Sequence, residues 1–226
     1  MKTKRSIMSG LLGILFAMVI TAVAIEAQTT TDTTKLAAAA TPAIPVGFGP
    51  EGVATDGANI FVANQFDNTV TKLSASDGAK VGTYAVGQRP VAIAFDGASI
   101  WVANYLSNNV MKLDPASGAV AGTYAVGEGP GGLLVTNGSI WVANRVANTV
   151  TKLRAADGMT LGTYEVGARP VSMTTDGTHI YVTNNNSDTV TKLNASNGVV
   201  VGTFPVGDGP FGIAFDGTGL WVANFG

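Results

Sequence analysis

Between residues 89 and 128 short apolar runs alternate with polar punctuation. Residues 91–95 are apolar and stop at Asp96-Gly97, and residues 100–104 form a second run rich in β-branched and aromatic side chains. Residues 110–113 form a third, closed by Asp114-Pro115-Ala116-Ser117-Gly118, and residues 120–126 a fourth that ends at Gly127. Runs of this length, each bounded by turn formers, predict four antiparallel strands joined as a meander. Outside the N-terminal segment no 3.6-residue period is sustained, so no helix is predicted.

The same pattern recurs every forty residues, in register and without insertion. An aromatic, two small apolar residues and an asparagine stand at 61–64, 101–104, 141–144, 181–184 and 221–224. Asp-Gly pairs at 56–57, 96–97, 176–177 and 216–217 supply the positive φ angles of tight turns, and the third copy carries Asn137-Gly138, displaced by one residue. One supersecondary unit has therefore been copied and stacked. A tandem four-stranded unit of this length predicts an all-β chain, a β-propeller of four-stranded antiparallel blades. Blades pack face on face, which explains why Trp101-Val102-Ala103 reads as a continuous apolar run. The Gly-His and Trp-Asp signatures of WD40 repeats are missing, and stacked solenoids of this period are helical.

Tyr181-Val182-Thr183-Asn184 is the tetrapeptide that names the YVTN β-propeller repeat family. The chain resembles that family over residues 46–226, with Val-Gly-x-x-Pro before the first strand of a repeat, Asn-x-Val-x-Lys-Leu at the third, and Gly-Thr-Tyr or Gly-Thr-Phe in the fourth. The resemblance implies an exported or cell-surface bacterial or archaeal propeller and usually seven blades, but no single activity. Here there are four full blades plus one inner hairpin. Two arrangements follow: part of a larger ring, or a five-blade closure in which 33–36 and 43–47 supply the missing outer strands by echoing 70–73 and 84–87. An open array would leave edge strands and an apolar blade face available for self-association.

The N-terminus changes the picture of where the chain works. Lys2, Lys4 and Arg5 precede an apolar run over 11–24 and then small residues, the layout of a secretory signal peptide over 1–27. Residues 28–45 read as a Thr/Ala-rich linker or a degenerate outer strand pair, and 46–226 as the propeller repeats. Export to the periplasm, cell surface or medium is expected, with no membrane attachment after cleavage. Without 1–27 the chain keeps ten basic and fourteen acidic side chains, a net charge of −4. No basic stretch offers an electrostatic footprint for nucleic acid, so none is expected as a partner, although some relatives are reported to touch DNA. Cysteine is absent, which excludes disulfides, thiolate metal sites and thiol catalysis.

Repeated positions read as scaffold. The aromatics at 61, 101, 141, 181 and 221 are expected between blades, the asparagines at 64, 104, 144, 184 and 224 as caps on loop backbone, and Lys72, Lys112, Lys152 and Lys192 as exposed blade-edge residues. Variable positions lie in the loops joining strands two and three and in those joining blades, which share one face around the channel mouth. That face carries Arg89, Arg145 and Arg169, suited to an anionic or carbonyl group, and Tyr105 and Phe66, suited to stacking. They are the candidate ligand-binding residues. No catalytic residue, cofactor or metal site is predicted. The lone His179 sits in a turn on the opposite face, and Asp67, Asp188 and Asp208 lack an ordered calcium-loop array. Streptogramin lyases are propellers that use a His and a Glu with a divalent metal, and the matching histidine is absent. The reading is thus a non-enzymatic binding or scaffold module for a cell-envelope polymer, protein or small molecule. The alternatives are a lyase- or hydrolase-type propeller with catalytic residues beyond residue 226, or a purely structural surface repeat.

Overall fold

The computed structural model describes residues 43–226. The signal segment and the stretch up to residue 42, with the 33–36 echo, lie outside the described residues. Eighteen strands follow, all antiparallel to their neighbours. Blade 1 is β1 (Pro50–Thr55), β2 (Asn59–Asn64), β3 (Thr69–Ser74) and β4 (Lys80–Ala85). Blade 2 is β5 (Pro90–Phe95), β6 (Ile100–Asn104), β7 (Asn109–Leu113) and β8 (Val120–Ala125). Blade 3 is β9 (Pro130–Thr136), β10 (Ser139–Asn144), β11 (Thr149–Arg154) and β12 (Thr160–Glu165). Blade 4 is β13 (Pro170–Thr175), β14 (His179–Asn184), β15 (Thr189–Asn194) and β16 (Val200–Pro205). A last hairpin is β17 (Pro210–Phe215) with β18 (Leu220–Asn224). The innermost strands β1, β5, β9, β13 and β17 touch in succession, so each blade leans on the next.

The core lies between blades. Phe61 packs with Ile100, Val102 and Leu113 of blade 2, Trp101 with Ile140, Val142 and Leu153 of blade 3, and Trp141 with Ile180, Val182 and Leu193 of blade 4. Burying one such aromatic removes about 150–250 Å² from water, an upper estimate of about 4–6 kcal/mol per interface. On the outer strands, Tyr84, Tyr124 and Tyr164 lie against Gly118, Gly158 and Gly198 of the following blade, where a β-carbon would collide with the ring. Ile44 holds the same place over Gly78. Residues 43–47 therefore stand to blade 1 as the end of an outer strand stands to its neighbour, although they form no ladder. At the other end the pattern breaks: Trp221 is 68% exposed where Trp101 and Trp141 are at 0%.

Two scaffold expectations need correction. The repeated lysines are not exposed edge residues. Their strand is the third of four, paired on both sides, and Lys72 and Lys152 are buried. Lys152 Nζ lies 5.0 Å from the centroid of the Trp141 ring and donates to the carbonyls of Ala195 (2.8 Å) and Ser196 (2.9 Å) in the next blade. Lys72 reaches Pro115 and Ala116, and Lys112 reaches Ala155 and Ala156, in the same way. Lysine is the side chain that both roofs the aromatic and satisfies two turn carbonyls across the interface.

The asparagines, also, are more than loop caps. Asn64 Nδ2 donates to the hydroxyls of Thr69 (3.0 Å) and Thr71 (2.9 Å) on β3, and Asn144 and Asn184 repeat this with Thr149, Thr151, Thr189 and Thr191. All three are fully buried. Asn64 Oδ1 takes the Gly47 N–H from the preceding loop at 3.1 Å. The asparagine thus locks strand two to strand three from within the blade by donating to side-chain hydroxyls, while the Oδ1 atoms of Asn144 and Asn184 are buried without a partner.

Candidate functional site

Antiparallel order sends every strand-two-to-three loop and every blade-joining loop to one end of the molecule. A repeated hydrogen-bond frame sews the two sets together. Asn68, Asn108, Asn148 and Asp188 adopt left-handed φ angles of 57°, 52°, 58° and 52°, a region that Asn and Asp tolerate better than other side chains. Their Oδ1 atoms accept the backbone N–H of Arg89 (2.8 Å), Gly129 (3.0 Å), Arg169 (2.8 Å) and Gly209 (2.8 Å) from the blade-joining loops. The carbonyls of Gly49, Arg89, Gly129 and Arg169 in turn accept the N–H of Gln65, Tyr105, Arg145 and Asn185, each at 2.9 Å. The frame repeats while the side chains on it change.

The joining-loop residue is itself left-handed in every copy, with φ of 67° at Gly49, 53° at Arg89, 65° at Gly129, 55° at Arg169 and 60° at Gly209. Three copies meet this with glycine. Two hold arginine there at a strain of about 1 kcal/mol. The Arg89 guanidinium sits 4.9 Å from the centroid of the Tyr105 ring, and its Nε donates to Gln65 Oε1 at 3.3 Å. Arg169 Nη1 donates to Asn185 Oδ1 at 3.1 Å.

Arg145 is placed differently. It is half-buried against the inner strand β9, with Nη2 donating to the Gly131 carbonyl at 2.7 Å and Nε enclosed without an acceptor. A β-carbon at Gly131 would come within 2.6 Å of Arg145 Cδ and Cζ. The matching residues of the other inner strands are Glu51, Val91, Val171 and Phe211, so the one glycine in that column faces the one arginine. Burial draws the Arg145 guanidinium below its ordinary pKa, with Glu51 opposing this and Arg169 and Arg89 adding to it. Burial also pushes the Glu51 carboxyl above its usual range, against the pull of Arg145 and Arg89.

Arg145 thus has Glu51, Arg169, Tyr105 and Arg89 within electrostatic reach, and Glu51 has Arg145 and Arg89. Tyr105 is occupied by Arg89 rather than standing free as a stacking platform. Phe66 lies apart, packed on Phe48 at a ring separation of 5.2 Å, and lines an outer groove of about 410 Å³ with Gln65, Arg89 and Leu106. A second groove of about 300 Å³ runs over the inner strands, lined by Arg145, Gly131, Val171, Ser172 and Met173. Among the described residues no carboxylate oxygen comes within 4.0 Å of Arg89, Arg145 or Arg169. Glu51 was missed from the sequence, although it is the only charged residue in its column.

The other end carries different chemistry. His179 Nδ1 lies 3.2 Å from Asp176 Oδ2, which also accepts the Tyr181 hydroxyl at 2.9 Å. On the loop face itself, Asp67 and Asp188 spend carboxylate oxygens on the loop N–H groups of Phe48 and Gly209. Among the described residues no group of three or more His, Asp or Glu gathers as a metal site would.

Several solved structures are similar in fold. A hydrazine synthase of Kuenenia stuttgartiensis aligns with a TM-score of 0.67 at 22% identity, over 77% of this chain and 54% of its own. A streptogramin B lyase aligns with a TM-score of 0.68 at 20% identity, over 78% and 62%. The fold is a β-propeller. A protein from Desulfotomaculum acetoxidans DSM 771, described as functionally unknown, aligns with a TM-score of 0.60 at 18% identity, over 72% and 57%. The chain thus spans between about half and six tenths of the length of these propellers. No family model and no curated protein sequence matches it. At these identities the likeness carries the propeller fold alone.

Proposed function

We propose that this propeller is an exported, non-enzymatic binding module whose ligand sits on the loop face at the channel mouth. One observation carries the reading. The hydrogen-bond frame of that face repeats from blade to blade, while the side chains mounted on it differ in every copy. Residues 65, 105, 145, 185 and 225 are Gln, Tyr, Arg, Asn and Phe, and residues 48, 88, 128, 168 and 208 are Phe, Gln, Glu, Ala and Asp. A rigid scaffold with variable loop side chains is the arrangement by which recognition is built without disturbing the fold. The signal-like pattern over 1–27 supports export.

The test is a ligand screen by thermal shift on the chain without 1–27, run beside a triple variant Arg89→Gly, Tyr105→Asn and Arg145→Asn. Each replacement is a residue that another blade already uses at that position, so the frame is retained. A compound that stabilises the parent chain and not the variant supports the reading. Equal shifts in both, or none across sugars, peptides and small metabolites, refute it. A lyase reading has only the likeness in fold to the streptogramin B lyase behind it.

A further inference from the structure

We infer that the inner part of this face, where blades 3 and 4 meet the channel, is a site for a small oxyanion, a carboxylate or phosphate group. Arg145 is its principal ligand, Arg169 and Arg89 flank it, and Glu51 is the resident counter-charge. The inference rests on the loop-face reading and gives that face its ligand chemistry.

Four observations converge. First, Arg145 has two further guanidiniums, Arg169 and Arg89, and the Glu51 carboxylate within electrostatic reach, and none of the three arginines forms an ion pair within 4.0 Å among the described residues. Guanidinium is always charged and matches the geometry of carboxylate and phosphate oxygens. Second, Arg145 is unsatisfied. Its Nε is enclosed without an acceptor, and it makes its one hydrogen bond to the Gly131 carbonyl through Nη2. A partly desolvated cation of this kind gains more from an arriving anion than an exposed one does. Third, room has been kept for it: in the column 51, 91, 131, 171 and 211 of the inner strands, glycine stands only at 131, against Arg145. Fourth, Arg89 and Arg169 hold a left-handed backbone position that glycine fills in the other three copies. Neither Gly131 nor these two arginines is what blade stacking requires.

The roles then differ by position. Arg145 contacts the anion from the groove of about 300 Å³ beside β13. Arg89, braced on Tyr105, and Arg169, braced on Asn185, contribute field and close the rim. Glu51 competes with the ligand for the same cations, so its removal strengthens binding. Glu128, which lines a groove of about 200 Å³ with Tyr105, and Asp208 add acidic groups from the joining loops.

The experiment measures binding of inorganic phosphate and of succinate, separately, to the chain without 1–27 at constant ionic strength, by calorimetry and by thermal shift. Arg145→Asn copies blade 4, which carries Asn185 there, and Glu51→Val copies blades 2 and 4. Expected is measurable binding of at least one anion, weakened tenfold or more in Arg145→Asn and tightened severalfold in Glu51→Val. Because the two variants move in opposite directions, a fold defect cannot imitate the result. Binding of phosphate alone points to a phosphoryl ligand, and binding of succinate alone to a carboxylate, both within the inference. Equal binding in all three proteins, or weaker binding in Glu51→Val, overturns it. If neither anion binds while an uncharged ligand from the loop-face screen is lost in the triple variant, the oxyanion inference fails and the loop-face reading stands.

Discussion

The pairing of Gly131 with Arg145 makes the sharpest mutational prediction. Replacing Gly131 with valine, the residue at 91 and 171, puts a β-carbon within 2.6 Å of Arg145 Cδ and Cζ, well inside contact distance. The arginine must leave, and the 2.7 Å bond from Nη2 to the Gly131 carbonyl is lost. A hydrogen bond from a charged donor is worth about 1.5–3 kcal/mol, and overpacking costs about 1–3 kcal/mol. Valine's better fit to a strand returns up to about 1 kcal/mol, and the freed guanidinium regains water. The net loss for Gly131→Val is about 1–3 kcal/mol. Arg145→Asn alone loses the same bond but removes a half-buried cation, for about 0–1 kcal/mol. In the double variant the collision is gone and blade 3 carries the Val/Asn pair that blade 4 already uses. The expected coupling is therefore at least about 1 kcal/mol in favour of the double variant. Urea unfolding of the four proteins measures it, and the thermal midpoint moves by about 2–4 °C per kcal/mol at this size. Additive effects within about 0.3 kcal/mol refute the claim that glycine is kept at 131 for the sake of Arg145.

Other outcomes follow from the same structure. Trp141→Ala costs about 3–5 kcal/mol because the ring is fully buried between blades, whereas Trp221→Ala, at a 68% exposed ring, stays below about 1 kcal/mol, and paired denaturation curves compare them. Lys152→Met keeps the apolar cover on Trp141 but strips two carbonyls of their donor, for a loss of about 2–4 kcal/mol, while Lys192→Met, which has no such carbonyl partners among the described residues, is much milder. Glu51 has a folded pKa raised by burial above its ordinary 4.5, so the favourable contribution holds below that value and is lost as pH rises through the folded pKa. Glu51→Gln is thus more stable than the parent at neutral pH, and stability against pH shows the advantage disappearing below about pH 4.

Much of this molecule is legible in its residues, because repetition averages away local ambiguity. The runs at 91–95, 100–104, 110–113 and 120–126 match strands Pro90–Phe95, Ile100–Asn104, Asn109–Leu113 and Val120–Ala125, and the aromatics at 61, 101 and 141 fall between blades, whereas Trp221 is exposed. What escaped depends on residues about forty positions away. Nothing beside Lys152 in the chain announces the Ala195 and Ser196 carbonyls, so its charge reads as exposure. The asparagine locks similarly depend on Thr69 and Thr71 lying across a hairpin. The third copy holds a subtler case. Its Asn137-Gly138 turn replaces the Asp that accepts Trp101 Nε1 at 2.7 Å in blade 2, and Trp141 Nε1 is left buried without an acceptor. At the candidate site, Arg89, Arg145 and Arg169 stand out in their loops, but Glu51 and Gly131 are visible only when the inner strands are set in columns. Tyr105 reads as a free aromatic because its stacking partner comes from the preceding joining loop.

The most direct test of the oxyanion site is a correlation spectrum of arginine Nε–Hε groups during a phosphate titration. The chain has five arginines, at 5, 89, 145, 154 and 169. Arg5 is removed with 1–27, and Arg154 is paired with Asp157 at the opposite end, an internal control. Before any addition the enclosed Arg145 Nε–Hε is predicted to exchange more slowly than the others. Phosphate is then predicted to shift Arg145 first, with Arg89 and Arg169 moving along the same binding curve and Arg154 unmoved. A titration in which Arg145 stays fixed, or in which all four signals drift together with phosphate concentration, contradicts the account.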